Sequence, residues 1–277
     1  MRGNESGAIH ATLGKRLAMA AVSLTAIAEH LDTLLRTPDV PDYPGALNGI
    51  QVENSAPITR VAVAVDASLC TIQGAIDANA NLLIVHHGLF WSGAQPLRGR
   101  MYERFRRLFA HDVAVYSSHL PLDLHPTFGN NALLARALGL YPTEGFARFQ
   151  SITVGVLGNA DIDTESLVTR AEAIAGAEGG TLVSVGVTAG RRTRRWAICT
   201  GAGASSDSLR EAAAAGVDTL IVGEGAHHTG VEAVELGIAV LYAGHYATET
   251  FGVRALGMEL ERRFELPWTF IAAPTGL

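Results

Sequence analysis

The chain of 277 residues is 48% hydrophobic and 17% charged with a net charge of −6, which supplies a core and excludes disorder as its main state. The negative balance leaves no electrostatic footprint for nucleic acid or an anionic membrane. Cys70 and Cys199 lie far apart with no CxxC spacing, which excludes a disulfide framework and points to a reducing, cytoplasmic setting.

In chain order, KRLAMAAVSLTAIA (15–28) has the basic-then-apolar make-up of a secretory leader. Against that, SLTAIAEHLDTLL places Leu24, Ile27, Leu31, Leu34 and Leu35 at helical spacing behind Ser23 as N-cap, and cleavage after Ala28 would cut this helix apart. We read a helix, with residues 1–18 as a disordered extension. Strands are predicted at 60–67, 81–87, 112–119, 152–158, 181–187, 195–201, 218–224 and 238–245. Helices are predicted at 68–79, 100–110, 129–139, 163–176, 205–215, 229–236 and 248–264. Valine- and isoleucine-rich strands alternating with helices predict an α/β fold with largely parallel sheet. No apolar run reaches the length of a membrane span.

Two stretches match each other. VAVAVDASLCTIQGAIDANANLLIVHHG (61–88) and WAICTGAGASSDSLREAAAAGVDTLIVGEG (196–225) each read strand, small-residue turn, helix, strand. DVAVYSSHLPLD (112–123) and GIAVLYAGHYATE (237–249) each end a strand on a histidine with an acid four residues later: His119 with Asp123, and His245 with Glu249. This predicts an internal duplication, two pseudo-twofold-related α/β lobes at 19–145 and 150–277, with LYPTEGFARFQS (140–151) as the linker.

Ligands of α/β sheets gather outside the carboxyl ends of strands, and LLIVHHG (82–88) ends its strand on His86 and His87. Neighbours on an extended strand point to opposite sides, so the two rings would each serve a different ion. With Asp123, His245 and Glu249 they make a mixed nitrogen and oxygen set. That set suits zinc, manganese or iron better than calcium and is too large for one open zinc site.

YPGALNGIQVE (43–53), VHHGLFW (85–91), SSHLPLDLHPTFGNNALLARALGL (117–140) and AGHYATET (243–250) together resemble the NIF-three-like dinuclear metal centre family, also called GTP cyclohydrolase type 2 homologues. The resemblance runs from about residue 20 to the C-terminus. It implies a dinuclear site in the cleft between two lobes, with His86, His87, Asp123, His245 and Glu249 as ligands to two divalent ions and Glu249 bridging them. It also implies a toroidal homohexamer, a trimer of dimers. The expected function is metal-dependent hydrolysis of a nucleotide-like or phosphoester small molecule through a metal-bridging hydroxide; the alternative is a non-catalytic metal- or metabolite-binding scaffold. His119 and Glu224 are the candidate catalytic residues, His119 as a proton shuttle or a ligand-orienting group and Glu224 to orient a ligand or a water. His227 and His228 read as a solvated helix start and GRRTRR (190–195) as a solvated hairpin. GAGAS (201–205) lacks the third glycine of a dinucleotide motif.

Overall fold

The computed structural model describes residues 21–277, so the expected extension at 1–18 lies outside the described residues. Ser23 caps α1 (Leu24–Leu35) by accepting from the Ala26 amide at 3.2 Å. There follow β1 (Gly49–Val52), β2 (Val61–Asp66), α2 (Leu69–Asp77), β3 (Leu82–His87), α3 (Arg100–Ala110), β4 (Ala114–Ser117), the short α4 (Leu120–Asp123) and α5 (Asn130–Ala137). The chain continues through β5 (Glu144–Phe149), β6 (Ile152–Asp163), α6 (Thr164–Ala177), β7 (Val183–Val185), β8 (Arg192–Cys199), α7 (Ser206–Ala214), β9 (Thr219–Val222) and α8 (His227–Glu235). It closes with β10 (Ala239–Tyr242), the short α9 (His245–Thr248), α10 (Thr250–Phe264) and β11 (Trp268–Phe270).

These form two sheets, ordered β1-β4-β3-β2-β11 and β5-β6-β8-β9-β10-β7. The parallel cores β2-β3-β4 and β8-β9-β10 match the expected α/β pattern, and each carries an antiparallel edge, β1 on β4 and β7 on β10. The first sheet is thus largely parallel, as expected, whereas the second is mixed, since β5 pairs antiparallel with β6 and β6 with β8. The matched sequences occupy matched places. The helices α2 and α7 even begin with the same reciprocal cap, Ser68 with Thr71 and Ser205 with Ser208.

Both faces of each sheet are covered. The helices α2 and α3 pack Ile72, Ala75, Phe105 and Leu108 on one face of the first sheet, and α7 and α8 place Leu209, Ala212 and Ala233 on the equivalent face of the second. The opposite faces exchange their covers. Val253, Leu256 and Leu260 of α10 join Ile27, Leu31 and Leu35 of α1 against Val61, Val63, Leu82 and Ile84 of the first sheet. Leu134 and Ala135 of α5 join Leu167 and Ala171 of α6 against Trp196, Ile198, Ile221 and Leu241 of the second. Each part of the chain thus lends its last long helix to the other sheet, across the expected boundary between 19–145 and 150–277. The stretch expected as a linker, 140–151, holds β5, which pairs with β6. The chain end returns too, β11 lying parallel to β2 in the first sheet.

A candidate metal centre at the strand ends

His86 and His87 close β3, and α4 and α9 follow the ends of β4 and β10. His119 precedes α4 and Asp123 is its last residue, while His245 opens α9 and Glu249 follows its last residue. One turn of helix therefore brings histidine and acid to the same side in both parts of the chain. His86 is fully buried, Asp123 is 5% exposed and Glu249 3%.

Each of four imidazoles is held through Nδ1 by an oxygen: His86 by the Ser118 carbonyl at 2.9 Å, His87 by Asp66 at 2.9 Å, His119 by Asp42 at 2.8 Å and His245 by Glu224 at 2.8 Å. A carbonyl only accepts, so neutral His86 carries its proton on Nδ1 and presents a lone pair at Nε2. That Nε2 lies 3.5 Å from Asp123 Oδ2 and 3.5 Å from Glu249 Oε1. Glu249 Oε2 lies 3.3 Å from His87 Nε2 and 3.1 Å from His245 Nε2. Buried His86 Nε2 and Glu249 Oε2 have no hydrogen-bond partner. Lone pairs facing one another in a buried site require positive charge between them, from protons or from cations.

Without ions the protons supply it. Burial opposes a charged His86, but Asp123 and Glu249 outweigh burial and raise its pKa from the ordinary 6.5 to about 10. Burial likewise opposes a charged His245, and Glu249 with Glu224 lift it to about 9. For Glu249 burial favours the neutral acid, yet His87 and His86 hold its carboxyl well below the usual range. The residues present fit divalent cations: nitrogen and carboxylate donors gathered in one cluster, with a second set of oxygens fixing the rings. Ligand atoms of His86, His87 and His119 lie within 4.8 Å of one another, as do those of His87, His245 and Glu249.

The expectation that neighbouring His86 and His87 face apart gives way to a ring separation of 4.7 Å, because His87 is the last residue of the strand and both rings turn toward Glu249. All five expected ligands come together. His119 enters the same cluster, its ring centre 4.9 Å from His86, and Glu224 contacts His245. Asn130 donates to Asp123 Oδ1 at 2.8 Å, and Asn131 donates to the Asp123 carbonyl and accepts from the Thr200 amide. Asp42 accepts from Asn48 and from the Leu120 amide as well as His119. Sequence reading missed Asp42, Asp66, Asn130 and Asn131. Asp66 alone left a signal, since it pairs directly with His87 in the parallel register of β2 and β3. His227 and His228 are exposed at the start of α8, and Arg192 and Arg195 of GRRTRR pair with Asp161 and Glu144. Cys70 and Cys199 are free thiols.

Gly201, just past the end of β8, closes the site. Its φ is +63°, and a Cβ there would collide with Glu249 Oε1. Gly201→Ala is expected to keep the fold, by circular dichroism, and to lower metal affinity roughly 10- to 100-fold by titration, the cost of disturbing a ligand's support.

A family model described as Duf34/NIF3 (NGG1p interacting factor 3) matches residues 22–275. A Deinococcus radiodurans protein described as a GTP cyclohydrolase 1 type 2 homolog is 41% identical over 245 residues, 85% of this chain and 88% of that protein. One from Pyrococcus abyssi with the same description is 37% identical over 251 residues, 91% of this chain and 98% of that protein. Among solved structures, protein ybgI, described as of unknown function, superposes with a TM-score of 0.83 at 34% identity, covering 92% of this chain and all 100% of that one. TTHA1606 from Thermus thermophilus gives 0.77 at 33%, with 92% and 100% covered.

Proposed function

This chain belongs to the Duf34/NIF3 family, and from that premise we propose that it is a metal-dependent hydrolase acting on a nucleotide-like or phosphoester small molecule at a dinuclear centre. The observation that carries the reading is the gathering of oriented histidine Nε2 atoms and two buried carboxylates in one cluster around Glu249, with His86 Nε2 and Glu249 Oε2 left unpartnered. His86, His87, Asp123, His245 and Glu249 would hold two divalent ions of zinc, iron or manganese. Glu249 would serve both, a role supported by its two oxygens facing three histidines. Bound ions would acidify a water and stabilise negative charge developing on a substrate oxygen.

The protein's own groups set the rest. Asp66 and Glu224 orient His87 and His245. Asp42 fixes His119 with Nε2 toward the cluster, where it can move a proton to or from a leaving group. Trp91, in edge contact with His119 at 4.7 Å, and Tyr43 form an aromatic wall beside the histidines on which a flat heterocycle can stack. No helix among the described residues is long and apolar enough to cross a membrane. The cytoplasm is the proposed location, and a toroidal hexamer, a trimer of dimers, the proposed assembly; sedimentation of the intact protein tests the latter.

Metal-loaded protein should hold about two ions per chain by elemental analysis and hydrolyse one or more members of a panel of nucleotides, cyclic nucleotides and phosphoesters. His119→Ala should retain the ions and lose turnover by about 10²- to 10⁴-fold. Wild-type turnover by His119→Ala would remove the proton-transfer role. Ligand binding with no metal-dependent turnover across the panel would assign the protein to metabolite binding instead.

A further inference from the structure

Beside the histidines lies a cavity of about 920 Å³, and His87, Trp91 and Asp66 form one wall of it. Arg98, Arg100 and Arg104 line the same cavity. Asp66 is the carboxylate lining it, and that group already accepts from His87. Some arginines elsewhere have acidic partners, such as Arg106 with Glu103, Arg254 with Glu178 and Arg262 with Glu259. Among the described residues, Arg98, Arg100 and Arg104 have no side-chain ion pair or hydrogen bond, and Arg104 Nε is buried without a partner. Guanidinium groups lining one cavity repel one another, and burial together with Arg100 lowers the Arg104 pKa against the opposing pull of Asp66. The first turn of α3 borders the same cavity through Arg100 and Met101. Its cap residue, Gly99, offers no side chain to the free amides of that turn. A cationic lining with unused donors fits an anion of several oxygens, and guanidinium forks match phosphate oxygens in pairs.

We propose that Arg98, Arg100 and Arg104 form a phosphate-binding subsite, which holds the phosphate group of a phosphate monoester while the rest of the molecule lies along Trp91 toward His87. The inference rests on the reading that this cavity is the substrate site of the metal centre. The ligand class it names is a mononucleotide or similar phosphorylated heterocycle, with the reacting group away from the phosphate the arginines hold.

The test uses the intact metal-loaded protein and calorimetric titration with inorganic phosphate, a nucleoside 5′-monophosphate and the parent nucleoside. The monophosphate should bind at least about tenfold more tightly than the nucleoside. In Arg100→Gln/Arg104→Gln that preference should vanish, with metal content and melting temperature unchanged. Arg100 is exposed and Arg104 half-buried, neither with a partner to lose, so the double variant should fold, and Arg104→Lys should restore part of the preference. If the double variant binds phosphate and monophosphate like wild type, the anion contacts the metal ions alone and the subsite is refuted, while the hydrolase reading stands. If wild type prefers the nucleoside, the subsite is refuted also. Loss of metal-dependent turnover on every substrate, with the arginine-dependent preference intact, would refute the hydrolase reading and leave the subsite.

Discussion

Glu249→Ala is expected to empty the metal centre. Wild-type protein dialysed against excess zinc or manganese should retain about two ions per chain, and the variant close to none. Glu249 is 3% exposed and its two oxygens face His86, His87 and His245 at 3.1–3.5 Å. No other carboxylate among the described residues reaches both sides of the cluster: Asp123 faces His86 alone, and Glu224 and Asp66 are spent on Nδ1 atoms. Removing it leaves two cations to repel each other with little negative charge between them. Any metal-dependent turnover should go with the ions. His245→Ala, which removes one terminal donor, should retain at least one ion per chain. Equal metal content in Glu249→Ala and wild type would end the bridging assignment.

The second large effect is a pH dependence that inverts between metal-free and metal-loaded protein. In the metal-free protein His86 and His245 have pKa values of about 10 and about 9, above the ordinary 6.5. A group whose pKa rises on folding stabilises fully below its unfolded value, and that contribution is lost as pH rises through its folded value. The melting temperature of the metal-free protein should therefore fall between about pH 6.5 and 10, as the carboxylates of Asp123 and Glu249 lose their protonated partners. Metal must displace those protons, so its affinity should rise across the same window by roughly tenfold per pH unit for each proton released. Paired melting curves and metal titrations at several pH values check both. A metal-free melting temperature that is flat from about pH 7 to 10 would show that the cluster is not proton-filled.

The five residues of the cluster were legible because each stands at a strand end or one helical turn beyond it, where short-range periodicity speaks. The oxygens that orient them were not. Asp42 lies 77 residues from His119, and Asn131 reaches Thr200 across 69; such pairings are set by the packing of distant elements. Asn130 and Asn131 read as an ordinary polar helix start although both are fully buried. The central parallel strands were legible from their apolar runs, while β1, β5 and β11 were not. Glu144–Phe149 looks like a polar linker and Trp268–Phe270 is too short for a pattern, and each becomes a strand only because a partner edge is open beside it. The exchange of α5 and α10 left no trace, since an amphipathic helix does not record which sheet it will cover.

That exchange bears on how the chain is made. During synthesis the first sheet is complete in sequence by Ser117, apart from the edge strand β11, yet the apolar face formed by Val61, Val63, Leu82, Ile84 and Tyr116 stays half uncovered until α10 emerges some 130 residues later. The ribosome-bound N-terminal part is thus expected to be a chaperone client, and residues 21–142 made alone should aggregate. Co-expressed as separate fragments, 21–142 and 143–277 should rescue each other's solubility, because each carries the helix the other sheet lacks.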